Sequence, residues 1–471
     1  MAENTSSAFQ IIRNIFSNFG DIEEWRLGNA ELAAAKGYPR EYEAAPIDDF
    51  GIVFVDIVVE AGTGALVCHE VNGPNAVGSD ALTGDSLSRV ENEARQAMRR
   101  MREYGYLPPG GRLRTQLVAL TAHQHWKAFR TGGEFYPRVL SLAENLREKL
   151  PGNAIELRVA GEKLGDEALT VVFGDVPSVA ARMQLDPKSQ RFRYDRRPVV
   201  FVGNPNLLPE LVRTHKLERK GSGFADADLR AFHAWRLVPA FFDKSFQQKL
   251  LRGTGIDPMR CAEAMTVDGV LTLAREMTTD GAVVLKPNGC SGGAGIHVVI
   301  PGMRDDEIRE RIGRVIADCV DKYGPNTEAT IFPIRCFPFV RSTSYPMSDG
   351  GHLWDLRIAV IFEPGRAYAY PVSMRLAPDA FDPERFHLGR DQWISNVSGR
   401  QVTLLKSGMD DVALGAVGFT EEKLQKALSA SVNWTIKAWD RAVRDVGGIA
   451  TYEDACEEED ASFYPWQKFS A

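Results

Sequence analysis

The sequence predicts a mixed α/β protein with more than one lobe, and three stretches carry that expectation. Between residues 112 and about 230, short apolar runs alternate with helical segments, the pattern of a small parallel α/β domain. Residues Val283 to Val299 read VVLKPNGCSGGAGIHVV. Its two apolar runs mark buried strands, so the stretch is a strand–loop–strand flap. Residues 51–82 read GIVFVDIVVEAGTGALVCHEVNGPNAVGSDAL, in which two β-prone runs joined through Gly62–Gly64 make a hairpin.

Composition narrows the function classes. A chain of 471 residues exceeds one domain and can bury a large core. Its 44% hydrophobic and 25% charged content is that of an ordinary globular protein. The net charge of −7 argues against a general nucleic-acid binder. No apolar run approaches the length that crosses a bilayer, and MAENTSSAFQ lacks the basic and apolar parts of a secretory signal. The six cysteines, at 68, 261, 290, 319, 336 and 456, have neither metal-ligand nor disulfide-framework spacing. A cytoplasmic enzyme with reduced thiols is expected, with Cys290 serving as a small loop residue.

Taken in order, Ala8–Phe19 reads as a helix. In the first hairpin, Ile52–Val59 pairs with Ala65–Val71. Asp56 lies on the first strand, and Glu70 and Asn72 close the second at i and i+2, which puts both side chains on one face. Two carboxylates and an amide oxygen make a hard donor set suited to Mg²⁺; a polar strand end is the plainer explanation. Residues 84–106 form a helix whose Arg95, Arg99, Arg100 and Arg102 suit a solvated face, and Pro108–Gly111 marks a boundary. In the α/β stretch, Gln116–Thr121, Ile155–Val159, Leu169–Phe173 and Val199–Val202 are strands and Glu134–Leu150 is a helix. Ligands of such sheets sit beyond the carboxyl ends of the strands, so His123, His125 and the Gly203–Asn206 turn are substrate-side candidates.

Residues 231–256 read as helical and carry Lys244. A helix over 266–279 leads into the flap, where Lys286 stands beside Gly289, Gly292, Gly293 and Gly295. Glycines let backbone N–H groups close around an anion, and this order is neither a Walker loop nor a dinucleotide fingerprint. Arg304–Tyr323 is an amphipathic helix and Thr330–Val340 a strand with a proline-broken end. Leu356–Phe362 and Arg366–Val372 pair around Pro364-Gly365, with Arg357 on the first strand and Arg375 just past the second. Asn396 lies in the loop WISNVSGRQV. From Thr420 a long helix repeats Leu424, Leu428, Val432, Ile436, Trp439 and Val443 at helical spacing, and the acidic tail is a solvated end.

Together these parts resemble the ATP-grasp superfamily of carboxylate–amine ligases. The resemblance implies that Lys244 and Lys286 grip ATP and that Gly289, Ser291, Gly292 and Gly293 cover its phosphates. Arg357 and Asn396 would be catalytic, and Asp56, Glu70 and Asn72 would hold Mg²⁺. The order of the parts resembles the circular permutation of eukaryotic glutathione synthetase, with the acidic strand near the start. The chain then divides into 1–111 with the metal hairpin, 112–230 as a pre-ATP-grasp α/β substrate domain, 231–340 with the flap, and 341–471 as the remaining core.

Two departures stand out. The glycine loop has Cys290 and Ser291 where a metal-binding glutamate is expected, which makes Asp56 the candidate third carboxylate. CFPFV lacks the usual linker glutamate, so a more specialised amide or peptide ligase is expected rather than glutathione synthesis. Such an enzyme takes a small carboxylate and an amine, with Arg375, Arg400 and Arg130 as candidates on the acid side; a homodimer would fit the analogy. A small-molecule kinase and a non-catalytic nucleotide-binding module are the alternatives.

Overall fold

The structure, a computed structural model, describes residues 31–74, 85–123, 135–203, 207, 211, 219–220, 223–224, 227–237, 240–241, 244–287, 293–323, 331–394 and 404–443. After helical residues 31–35, the described residues run through β1 (Arg40–Ala44), β2 (Gly51–Val59), β3 (Leu66–Asn72) and α1 (Asp85–Glu103). Then come β4 (Leu117–His123), α2 (Phe135–Lys149), β5 (Ile155–Val159), β6 (Leu169–Asp175), α3 (Val176–Ala180), β7 (Met183–Leu185), β8 (Phe192–Tyr194) and β9 (Arg197–Val202). A short ribbon, β10 (Arg219–Lys220) and β11 (Gly223–Phe224), precedes α4 (Lys244–Leu251), β12 (Ala262–Ala264) and α5 (Val267–Met277). The flap strands β13 (Val283–Lys286) and β14 (His297–Val299) are followed by α6 (Asp305–Tyr323) and β15 (Ile334–Pro338). The chain continues through β16 (Tyr345–Met347), β17 (Gly350–His352), β18 (Trp354–Glu363), β19 (Gly365–Leu376), β20 (Leu404–Ser407), α7 (Asp411–Ala416) and α8 (Glu421–Val443).

Strands from both ends of the chain build one antiparallel sheet in the order β1-β19-β18-β2-β3, with β20 also on β19. β2 is buried along its whole length, as a strand covered on both faces must be. On one face Phe362 meets Trp439 of α8 at 5.6 Å. On the other, the Arg89 guanidinium of α1 lies 5.7 Å from the Phe54 ring, and Arg95 pairs with Glu363 at 2.8 Å. Side chains alternate faces along a strand, so Asp56, two residues from Phe54, is on the α1 face.

The second sheet runs β5-β6-β4-β9-β8-β7, parallel from β5 to β9 and antiparallel beyond. The parallel α/β pattern of the sequence is present in it. A third sheet, β12-β15-β13-β14, packs against α5 and α6 through a core of Val270, Ala274, Leu285, Ile308, Ile312 and Ile334. α8 begins as its sequence suggests: the Thr420 hydroxyl accepts the Lys423 N–H at 3.3 Å, an N-cap.

Some elements differ from expectation. Residues 231–256 are not one helix: three-residue 3₁₀ turns at Leu229–Ala231 and Trp235–Leu237 precede α4. Ala234 at φ 48° breaks the run, because a left-handed residue cannot continue a right-handed helix. Within Thr330–Val340 the strand covers only Ile334–Pro338. β1, β12 and β20 are short partners of longer strands and have no period of their own. The helix Ala8–Phe19, His125, Asn204–Asn206, Arg130, Arg400, Gly289, Cys290, Ser291, Gly292, Asn396 and the acidic tail lie outside the described residues.

Candidate active site

The site grows from the register of the central sheet. Asp56 stands opposite Glu70 on β3 and opposite Arg357 on β18, and Asp355 stands opposite Arg375 on β19. Residues paired across antiparallel strands share a face, so acidic and basic side chains are gathered side by side. A bulge interrupts each neighbouring ladder here, between Asp56 and Ile57 and between Arg357 and Ile358. Bulges bend a strand and re-aim its side chains.

Asp56 is the anionic centre. Arg357 grips it through Nε and Nη2, both at 2.7 Å. Arg375 reaches Asp56 at 3.0 Å while forking onto Asp355 at 2.6 and 2.7 Å. Asn72 Nδ2 donates to Asp56 Oδ2 at 3.1 Å. Burial pushes the Asp56 carboxyl up, but Arg357 and Arg375 outweigh it and hold the pKa well below the carboxylate range. Burial acts to lower the Arg375 pKa, and Asp355 and Asp56 outweigh it, so the guanidinium is held more firmly protonated than usual.

A second group assembles at the edge. Lys244, at the start of α4, forms an ion pair with Glu70. Lys286, at the end of β13, donates to the His69 carbonyl at 3.5 Å and lies 5.0 Å from the Phe337 ring. Burial, and then the neighbouring Lys244, push the Lys286 pKa down to about 8 against the pull of Glu70. The Glu70 carboxyl, raised by burial, is lowered further by Lys244 and Lys286 and ends below its ordinary value. His69, lowered to about 3 chiefly by burial, stays neutral. The Cys68 thiol, raised to about 12 by burial and Asp56, is unreactive at neutral pH.

The structure therefore brings Asp56, Glu70, Asn72, Lys244, Lys286 and Arg357 together. Gly293 stands just beyond the flap loop, where its carbonyl accepts from Arg390 Nη1 at 3.0 Å. That same nitrogen reaches Asp318 at 3.0 Å, which ties the end of the loop to α6. His123 closes β4, in a different sheet from the hairpin that carries Glu70.

The metal expectation changes at one residue. Both oxygens of Asp56 face guanidinium groups and its side chain is only 2% exposed, surroundings that do not fit a divalent cation. Glu70 keeps 35% exposure. The Asn72 amide, donating to Asp56 through nitrogen, turns its oxygen away from that carboxylate. A half-buried carboxylate and an amide oxygen fit Mg²⁺, which keeps waters and phosphate oxygens among its ligands. Among the described residues no group of three or more His, Cys, Asp or Glu could hold a metal alone.

Sequence reasoning missed Asp355 and Arg335. Arg335 lies opposite Lys286 and donates through Nε to Ser245 Oγ and Glu263 Oε2, both at 2.9 Å. The available signal was a charged residue inside each apolar strand, WDLRIAV and IFPIRCF, since a buried charge needs a partner.

No model of a known protein family matches the sequence, and no curated protein matches it. Among solved structures, the chain is similar to one described as a gamma-glutamylcysteine synthetase of Methylobacillus flagellatus KT, at 12% identity and a TM-score of 0.42, over 93% of this chain and 96% of that one. It is similar to D-alanyl-alanine synthetase A of Vibrio cholerae at 10% identity and a TM-score of 0.36, over 69% and 81% of the two chains. A third is the ATP-grasp ligase PsnB, complexed with a minimal precursor, at 15% identity and a TM-score of 0.26, over 68% and 100%.

Proposed function

We propose that the protein is an ATP-dependent, ADP-forming carboxylate–amine ligase that makes an amide or peptide bond through an acyl phosphate. One observation carries this reading: Lys244, Lys286 and Glu70, from three separate elements, converge beside an Arg357 fixed by Asp56. Phosphoryl transfer requires positioning and charge neutralisation more than covalent chemistry, and this arrangement supplies both. Lys244 and Lys286 would face phosphate oxygens. Mg²⁺, held by Glu70 and the Asn72 oxygen, would neutralise phosphate charge. Arg357 would face the oxyanions of the transferred phosphoryl group and of the adduct formed by the attacking amine, joined by Asn396. Asp56 acts here as the carboxylate that positions Arg357, so among the described residues the donor set is one carboxylate, Glu70, and one amide oxygen, that of Asn72. The permuted order is supported by one sheet that closes with strands from both ends of the chain.

The test is phosphate release from MgATP, screened against pairs of small carboxylates and amines, with mass detection of the product. An amine-dependent amide supports the ligase. A phosphorylated hydroxyl compound formed without an amine would make it a kinase instead. Failure of the wild-type protein to bind MgATP would remove both readings.

A further inference from the structure

Among the described residues β3 is an edge strand of the central sheet. An edge strand presents peptide groups that need partners when buried. Val71, between Glu70 and Asn72, is buried, and its outward peptide groups are paired by a side chain. The Val71 N–H donates to Gln247 Oε1 at 3.1 Å, and Gln247 Nε2 donates to the Val71 carbonyl at 2.8 Å. One amide thus does the work of a missing strand. The same nitrogen also reaches the carbonyls of Ala240 and Phe241 at 3.0 and 3.1 Å. The Gln247 carbonyl accepts from Trp434 Nε1 at 3.0 Å. Gln247 is 1% exposed and sits one turn along α4 from Lys244.

We infer that Gln247 is a positioning residue that fixes Lys244 of α4 against Glu70 and Asn72 of β3, and so sets the geometry in which Mg²⁺ and ATP phosphates are held. This rests on the ligase reading of the site. The two residues flanking Val71 are the proposed metal ligands, so a strand displaced at Val71 moves both. Gln248 provides an internal comparison. It is also buried and bonds the same strand, donating to the Cys68 carbonyl at 3.0 Å and accepting the Met259 N–H at 2.8 Å. Its contact lies on the far side of the bulge from Glu70.

The experiment measures ATP affinity by calorimetry on the full chain, with Mg²⁺ and with EDTA, alongside the thermal midpoint. Gln247→Met keeps the shape and removes both bonds. Gln247→Glu keeps the acceptor for Val71 N–H but sets a carboxylate against three carbonyls. Residues that orient metal ligands commonly change metal affinity by about 10–100-fold. Both Gln247 variants are expected to lose the Mg²⁺-dependent part of ATP affinity by about tenfold or more, with a smaller loss in EDTA, where only the displacement of Lys244 is felt. Gln248→Met is expected to lower the midpoint yet keep the Mg²⁺-dependent gain. Equal Mg²⁺ responses in the Gln247 and Gln248 variants, or a wild-type response in Gln247→Met, would overturn the inference. If Gln247→Met does not fold, Gln247→Glu against Gln248→Met decides by the same criterion. Absence of Mg²⁺-dependent ATP binding in the wild type would count against the ligase reading instead.

Discussion

Asp56 holds two arginines in a place water hardly reaches, which makes it the most consequential single side chain on the sheet. Removing its charge would break a buried ion pair with Arg357, a change that costs about 3–5 kcal/mol. Asp56→Asn is therefore expected to lower stability by about that amount in urea titration. Because its folded pKa is depressed, the stabilisation is complete above the unfolded carboxyl value of about 4. It is lost as pH falls from there toward the folded value, so the wild type should weaken in acid more steeply than Asp56→Asn. Lys286 gives a second pH signature. Its pKa near 8 in the free protein should rise when phosphates arrive. ATP binding above pH 8 is then expected to take up protons and to weaken as pH increases. Calorimetry in two buffers of different ionisation heat checks this, and Lys286→Met should abolish the uptake. Most of these residues were candidates from the chain only through their joint resemblance to one set of parts, because a lysine at a strand end and Glu-x-Asn are weak signals alone. Their pairings were not readable. The pairing of Asp56 with Arg357 joins residues 301 positions apart, and no local spacing records it.

At the level of elements, the flap depends on a close approach. Gly295 has φ 67°, and a Cβ there would come within 2.6 Å of Cys319 Sγ and 2.7 Å of the Val315 carbonyl. Left-handed backbone and overpacking add, so Gly295→Ala should destabilise the flap lobe by about 2–5 kcal/mol. Hydrogen exchange of α6 amides would show this as faster opening. The glycine-rich run and its flanking strands were legible as a hairpin, since both have strong local signals. The two bulges were not, because a bulge is a mismatch between strands and leaves no mark on either alone. α4 shows a third limit. Its start was obscured by an apolar, helix-prone approach that Ala234 interrupts only through its backbone angle.

For the whole molecule, the central sheet joins residues 40–72 to residues 354–407. That closure predicts that the chain can be reconnected. A variant beginning at residue 75, with residues 31–74 attached after residue 443 by a flexible linker, is expected to fold and bind MgATP. Simply deleting residues 31–74 should give insoluble protein, because the edge of β18, buried beneath β2, would be laid bare; solubility and circular dichroism distinguish the two outcomes. The layered α/β character and the two hairpins of the central sheet were visible in the sequence, whereas the pairing of β2 with β18 was not, since adjacency across about 300 residues is a tertiary property. On the proposed reading, the ammonium of Lys244 resting on Glu70 would impose an order of arrival. Mg²⁺ alone would have to compete with that ammonium for the carboxylate. A nucleotide whose oxygens drew the lysine away would release Glu70 for the cation that travels with it.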